Sequence, residues 1–352
     1  MFGLGWLRAL TDARGLLEHA HHGVPRLGEG YTTDDNARAL LYLSLLPEGA
    51  RDEGLVRTYL AFLLHMQKED GRFRNGLTLD GRFEDEGEAE DPTGRAVLAL
   101  AAAQRLPPPY AGPAREALLR ALPALEGFTS LRGRAYALLG LLALPKEPFL
   151  EAAEALGEGL LRAFREAEPA WPYPGPLTYA NHRPVEALYA YGLAFRRQEA
   201  VALARRALAF LKEHYFTPGE EGLFFDPVGN RFMARGRDKP LFDQQPIEAK
   251  CALLAHLRFG ERVLAEVAFL WFHGRNRLRA PLVDAFGPMD GLTPHGPNQN
   301  RGADEMLCLG FEEGAEALLA YLLAWQALVQ GVFPQVDEGV ALGRVFALGG
   351  RP

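Results

Sequence analysis

The sequence predicts an all-α chain folded as an (α/α)6 toroid, about twelve helices closing into a ring. Three observations predict it. Segments rich in Leu, Ala, Arg and Glu, residues that favour helix, recur along the whole chain. Strand-like alternation is nearly absent. On alternate helices, a dense polar cluster leads into a run of small apolar residues.

Periodicity and breakers place helices over residues 7–19, 34–46, 52–67, 91–105, 113–127, 131–144, 148–167, 184–197, 199–214, 245–259, 261–272 and 303–330. The odd-numbered segments carry ordinary amphipathic faces, as in 56–67 and 201–213. Most even-numbered ones open on polar heads: Thr33-Asp34-Asp35-Asn36-Ala37-Arg38, Glu90-Asp91-Pro92-Thr93-Gly94-Arg95, Asn181-His182-Arg183-Pro184-Val185-Glu186, Asp243-Gln244-Gln245-Pro246-Ile247-Glu248 and Asn298-Gln299-Asn300-Arg301-Gly302-Ala303-Asp304-Glu305. The sixth opens more blandly, at Thr129-Ser130-Leu131-Arg132-Gly133-Arg134. Pro107-Pro108-Pro109 reads as a turn between helices, 222–232 as a short hairpin and 332–348 as an extended tail.

Six helical hairpins closing in a ring account for this alternation. Inner helices are buried on every side and favour small apolar residues; outer ones are half solvated. The inner N-termini meet at one mouth, where the polar heads make a pocket. Any single head also reads as a helix cap, since Asp, Asn, Ser and Thr satisfy free N–H groups there. Caps do not require Asp-Asp-Asn or Gln-Gln in succession, nor do they need to fall on alternate helices. One domain over 1–330 with a tail over 331–352 is the expected organisation.

Bulk properties narrow the function. Apolar residues make up 48% of the 352-residue chain, ample for a large core. The net charge of -7, with scattered basic residues, argues against a nucleic-acid partner. Cys251 and Cys308 both lie in apolar helical stretches, which excludes a disulfide scaffold and fits a reducing cytoplasm. The start of the chain lacks a basic segment followed by a long apolar one, so no signal peptide is expected. No apolar run reaches a membrane span. No metal-ligand spacing stands out; Glu18, His21 and His22 have a helical spacing that could hold a metal, but they read better as a solvated helix end beside Gly23. Neither a metal nor a cofactor is expected.

Several motifs carry a resemblance. They are His22-Gly23-Val24-Pro25 with Gly30-Tyr31-Thr32-Thr33-Asp34-Asp35-Asn36-Ala37-Arg38-Ala39-Leu40, then Asp70-Gly71-Arg72-Phe73-Arg74-Asn75 with Glu90-Asp91 and Gly94-Arg95-Ala96. Phe242-Asp243-Gln244-Gln245-Pro246-Ile247-Glu248-Ala249 follows, then Trp271-Phe272-His273-Gly274-Arg275-Asn276 with Asp290-Gly291-Leu292 and Asn298-Gln299-Asn300-Arg301-Gly302-Ala303. Together they resemble the helical domain found C-terminal to bacterial glycosyltransferases of the retaining, mannosyltransferase-like type. The resemblance spans most of the chain. It implies a six-hairpin-glycosidase-like fold and a link to glycan metabolism, and fixes no reaction. The chain departs from the pattern at Asp304-Glu305, where Glu-Ser is expected, and at Val97-Leu98, near an expected Trp. No strand with a Gly-rich phosphate loop precedes Thr11, so nucleotide-sugar transfer is not expected of these residues.

A carbohydrate ligand needs hydroxyl-binding groups, and glycosidic cleavage needs two carboxyl groups, one protonating the leaving oxygen and one activating water or attacking the sugar. The catalytic candidates are Asp34, Asp35, Glu90, Asp91 and Asp243. Asp304 and Glu305, with Tyr31, Asn36, Arg38, Arg95, His182, Arg183, Gln244, Gln245, Asn298, Asn300 and Arg301, are the substrate-binding candidates. Tyr31, Trp171, Tyr173, Tyr179, Phe225 and Phe242 could stack on sugar faces, though each alone reads as core packing. The expected function is hydrolysis or phosphorolysis of an oligosaccharide or glycoconjugate. The alternatives are a non-catalytic glycan-binding module, an accessory to a separately encoded glycosyltransferase, or a sugar epimerase or isomerase. That last chemistry wants histidine acid-base partners, and His182 alone is well placed for it.

Overall fold

The computed structural model describes residues 3–84, 90–144, 146–229, 232–241, 243–294, 307–309 and 312–333. Twelve α-helices run through the described residues: α1 (Leu4–Ala9), α2 (Thr33–Leu45), α3 (Glu53–Met66), α4 (Glu90–Ala102), α5 (Pro108–Leu125), α6 (Leu131–Leu141), α7 (Phe149–Glu166), α8 (His182–Ala194), α9 (Gln198–Tyr215), α10 (Pro246–Arg258), α11 (Arg262–Leu270) and α12 (Ala315–Gln330). The even-numbered helices pack each on the next, and α12 returns to α2, closing an inner ring. Helices α3, α5, α7, α9 and α11 each lie against the inner helix before them. Helix α1 is the outer partner of α12, its Trp6 ring 6.5 Å from that of Tyr321. The expected (α/α)6 toroid is the fold.

Burial follows the two rings. Residues of α8 from His182 through Gly192 are buried, whereas α7 buries a stripe at helical spacing, including Phe149, Ala153, Leu156, Leu160 and Phe164. Small residues let inner helices close up. A side chain at Gly94 would collide with the carbonyl of Gly133 on α6, and a Cβ at Gly140 would lie 2.8 Å from the Leu98 Cα. Caps set several starts: Thr32, Asp52 and Ser130 accept from the N–H groups of Asp35, Leu55 and Gly133.

Short strands stitch the mouth. Strand β1 (His19–His21) lies between β2 (Val24–Pro25) and β10 (Glu312–Gly314), pairing His19 with Gly314. Strand β3 (Tyr31–Thr32) joins β4 (Gly76–Leu77) and β5 (Phe83–Glu84); β6 (Phe216–Gly219) and β7 (Gly222–Phe225) form a hairpin; β8 (Leu292–Pro294) pairs with β9 (Leu307–Leu309).

Five expectations change. The helix expected over 7–19 ends at Ala9, because the Asp12 carboxylate accepts from the N–H groups of Arg14 and Gly15 and turns the chain. His21 and His22 therefore sit on a strand and a turn, not at helical spacing with Glu18. The last helix starts at Ala315, twelve residues later than expected, because the preceding segment is strand; the Gly314 N–H donates to Asp290 there at 2.9 Å. Prolines 108 and 109 open α5, where no N–H is needed, and do not form a turn. The hairpin falls at 216–225 because α9 runs straight into it. Of the expected tail, only residues to Phe333 lie among those described.

Candidate functional site

A pocket of about 510 Å³ opens at the inner-helix N-termini, in the size range of small-ligand sites. Helix α2 and the strand before it supply Thr32, Asp34, Asp35 and Arg38, and the loop before β4 supplies Asn75. The head of α10 supplies Asp243, Gln244, Gln245 and Pro246. Glu18, His19, Asp290, Gly314, Glu316 and Ala317 complete the described lining. Backbone bonds fix this assembly. The Ala315 N–H donates to the Glu18 carbonyl and the Thr33 N–H to that of Asn75, both at 2.8 Å. Gln244 and Leu292 exchange N–H···O bonds at 2.9 and 3.1 Å.

Six of the residues singled out in the sequence come together here. Asp34, Asp35, Arg38, Asp243, Gln244 and Gln245 all line the pocket. Asp34 is ion-paired with Arg95, and its Oδ1 has no hydrogen-bond partner. Asp35 is buried; it accepts from the Thr32 hydroxyl at 2.8 Å and pairs with Arg38, which also holds Glu316 at 2.7 Å. Asp243 adopts a left-handed turn, φ 55°, a conformation Asp tolerates better than most residues. Gln244 is held from both sides. Its amide donates to Asp226 at 2.8 Å, and its carbonyl accepts from the Trp271 indole at 3.2 Å.

Other candidates lie away from this pocket, in contacts of their own. Glu90 accepts from the Thr129 and Ser130 N–H groups at 2.7 and 2.6 Å, so it caps the neighbouring helix α6. Asp91 accepts from Ser130, Arg132 and Tyr179, all within 2.8 Å. Against the upward push of burial, Arg132 and Arg95 hold its carboxyl below its ordinary value. Asn36 is wholly buried, bonding the backbone of Leu16 in both directions. Tyr31 is 1% exposed and its hydroxyl donates to Asp12 at 2.5 Å, so it packs in the core. His182 is also core. Its ring lies 4.8 Å from Tyr215 and 5.7 Å from His256, and burial, then His256, drives its pKa well down. Arg95 and Arg183 lie below the mouth, lining a smaller cavity.

None of the described aromatic candidates lines the mouth. Tyr173 and Phe225 are buried, Tyr179 holds Asp91, and Trp171 borders a separate hollow beside Arg235. Phe242, Asn298, Asn300, Arg301, Asp304 and Glu305 lie outside the described residues.

The sequence reading missed four acidic or basic groups at the mouth: Glu18, His19, Asp290 and Glu316. Asp290 belongs to the Asp290-Gly291-Leu292 motif, Glu18 falls in a segment whose spacing reads as helix, and Glu316 falls in an apolar helical run. Electrostatics divides these carboxyls. Burial, then Asp35, Glu29, Asp34 and Glu316, pushes Glu18 up to about 7. Burial pushes Glu316 the same way, but Arg38 and Arg95 outweigh it and hold Glu316 below its ordinary value. Burial also raises Asp35, against the pull of Arg38, so the pocket brings together carboxyls pushed up, Glu18 and Asp35, and one, Glu316, held down by cations.

No family model and no curated protein matches the sequence. Solved structures do match the fold. A D-mannose isomerase superposes with a TM-score of 0.64 at 10% identity, over 94% of this chain and 95% of that one. A cellobiose 2-epimerase from Bacillus thermoamylovorans gives 0.64 at 9% identity, over 92% and 95%. A GH76 α-mannanase from Bacteroides thetaiotaomicron gives 0.58 at 10% identity, over 98% and 95%. At such identities the likeness is one of fold: this chain is an (α/α)6 toroid whose mouth holds a carboxyl-rich pocket.

Proposed function

We propose that the protein acts on a carbohydrate in the mouth pocket and cleaves a glycosidic bond, with Glu18 as general acid and Asp34 as general base or nucleophile. The observation that carries this reading is the split among the pocket's carboxyls. A general acid must hold a proton at working pH, and the burial of Glu18, with other carboxylates near it, provides for that. Its partner must lie in the same pocket; Asp34 does, held by Arg95, and its buried Oδ1 has no hydrogen-bond partner. Arg38, Asn75, Gln245 and Asp243 are the hydroxyl-binding groups we assign. The fold likeness to an α-mannanase supports the substrate class, and the resemblance to glycosyltransferase-attached domains favours a glycoconjugate.

Isomerase or epimerase chemistry, carried by two of the similar folds, ranks lower. It calls for paired imidazoles, and of the two histidines near the inner heads among the described residues, His182 is buried in the core while His19 lines the pocket. The experiment is a glycan screen of wild type, Glu18→Gln and Asp34→Asn, with and without phosphate. Turnover by wild type, lost at least 10²-fold in both variants with oligosaccharide binding retained, supports cleavage. Binding without turnover on any glycan refutes it and leaves a binding module or an accessory of a separate glycosyltransferase.

A further inference from the structure

Below the mouth lies a group of buried cations that cleavage does not use. Arg38 of α2, Arg95 of α4, Arg183 of α8 and Lys250 of α10 line a small cavity, closed by Tyr136 of α6 and Leu323 of α12. All six inner helices therefore reach it. Its volume is about 10 Å³, room for one water-sized species. The three arginine side chains are 5%, 4% and 4% exposed, and Lys250 is 2% exposed.

Their donors do not all find acceptors. Arg38 uses its Nη atoms on Asp35 and Glu316, Arg95 on Asp34 and the Tyr136 hydroxyl, and Arg183 on Glu186. In all three the Nε–H is buried without a partner. Lys250 forms no hydrogen bond or ion pair with a described residue, and Arg38, Arg183 and Arg95 lie near enough to depress its pKa beyond the effect of burial. Arg258 also holds Glu186, at 3.0 Å, so Arg183 does not have that carboxylate to itself. Buried donors and charges left in this state are costly, and natural interiors rarely keep them.

We propose that this cavity binds one monoatomic anion of the halide class, chloride in a cell, held by the Nε–H groups of Arg38, Arg95 and Arg183 and by the Lys250 ammonium. A single anion supplies the missing acceptors. The size of the cavity excludes phosphate, sulfate or a sugar carboxylate. Arg38 lines both this cavity and the mouth pocket, so the anion would fix the guanidinium that positions Asp35 and Glu316. The site does not depend on which reaction the mouth performs.

The test compares the purified chain in sodium methanesulfonate, chloride and bromide at one ionic strength, together with crystals soaked in sodium bromide. The expected map has an anomalous bromide peak among the four cations. Expected melting temperatures rise with halide, by about 3–4 °C at a hundredfold excess over Kd, and Lys250→Met abolishes that rise. No bromide peak, with equal melting temperatures in all three salts, means the cavity holds only water and overturns the proposal. Should Lys250→Met fail to fold, the bromide map of the wild type decides.

Discussion

Replacing Glu18 by Gln should make the protein more stable in alkaline solution while removing its activity. The Glu18 carboxyl rises from its ordinary value of 4.5 to about 7 in the folded chain. A folded-state value above the unfolded one means that the contribution to stability is complete below pH 4.5 and is lost as pH climbs to about 7. The full shift would correspond to about 3.4 kcal/mol at 1.36 kcal/mol per pKa unit. The side chain is 34% exposed, so solvent screening reduces this to roughly 1–2 kcal/mol. With about 2.1 cal/mol/K of unfolding entropy per residue, Glu18→Gln should melt roughly 1–3 °C above wild type at pH 8 and level with it at pH 4.5. Differential scanning calorimetry at half-unit pH steps reads the difference, which should grow between pH 4.5 and 7 and then stay flat. A difference that is the same at every pH, or absent at pH 8, would show that Glu18 is not held protonated by its neighbours and would remove the ground for calling it the acid. The same carboxyl predicts that kcat/KM of an active wild type falls about tenfold per pH unit above 7.

Three further outcomes test contacts that hold the ring together. Asp91→Asn should lower stability by roughly 2–3 kcal/mol in urea unfolding, by weakening the bonds from Arg132, Ser130 and Tyr179. Assayed well below its melting point, it should keep turnover within about threefold, unlike Asp34→Asn; an equal loss in both would restore Asp91 to the chemistry. Asp226→Ala should cost roughly 3–5 kcal/mol, because buried Asp226 anchors Lys239, Arg277 and Gln244, and the melting temperature reads the loss. Gly94→Val should cost roughly 3 kcal/mol by forcing α4 away from the Gly133 carbonyl; an unchanged urea midpoint would contradict the close approach of those helices.

The ring was legible because burial on all sides leaves a compositional trace. The inner helices are small and apolar after polar heads, and that pattern survives in one dimension. Whether a head residue serves the pocket or a neighbouring helix is not visible there. Asp34 and Asp35 face the mouth, whereas Glu90 and Asp91, equally dense in charge, are consumed by the N-terminus of α6 and by Arg132. The Thr11–Gly15 turn was in the sequence as Thr-Asp-Ala-Arg-Gly, but the apolar spacing around it read as continuous helix. The place of Glu18 is not visible in that spacing, since it depends on β1 meeting β10 across 295 residues of chain. Gln244 shows the opposite case: a head residue in the pocket wall whose amide is already committed to Asp226 and Trp271.

That pairing of β1 with β10 has a consequence for how the molecule is born. His19 leaves the ribosome 295 residues before its partner Gly314. Until Gly314 and Glu316 arrive, Glu18 lacks one wall of the pocket it lines. The helices made in between can build hairpins by local contacts, but the mouth keeps an open side until β10 pairs with β1. A chain that stops short of Gly314 would therefore have helices with an incomplete pocket.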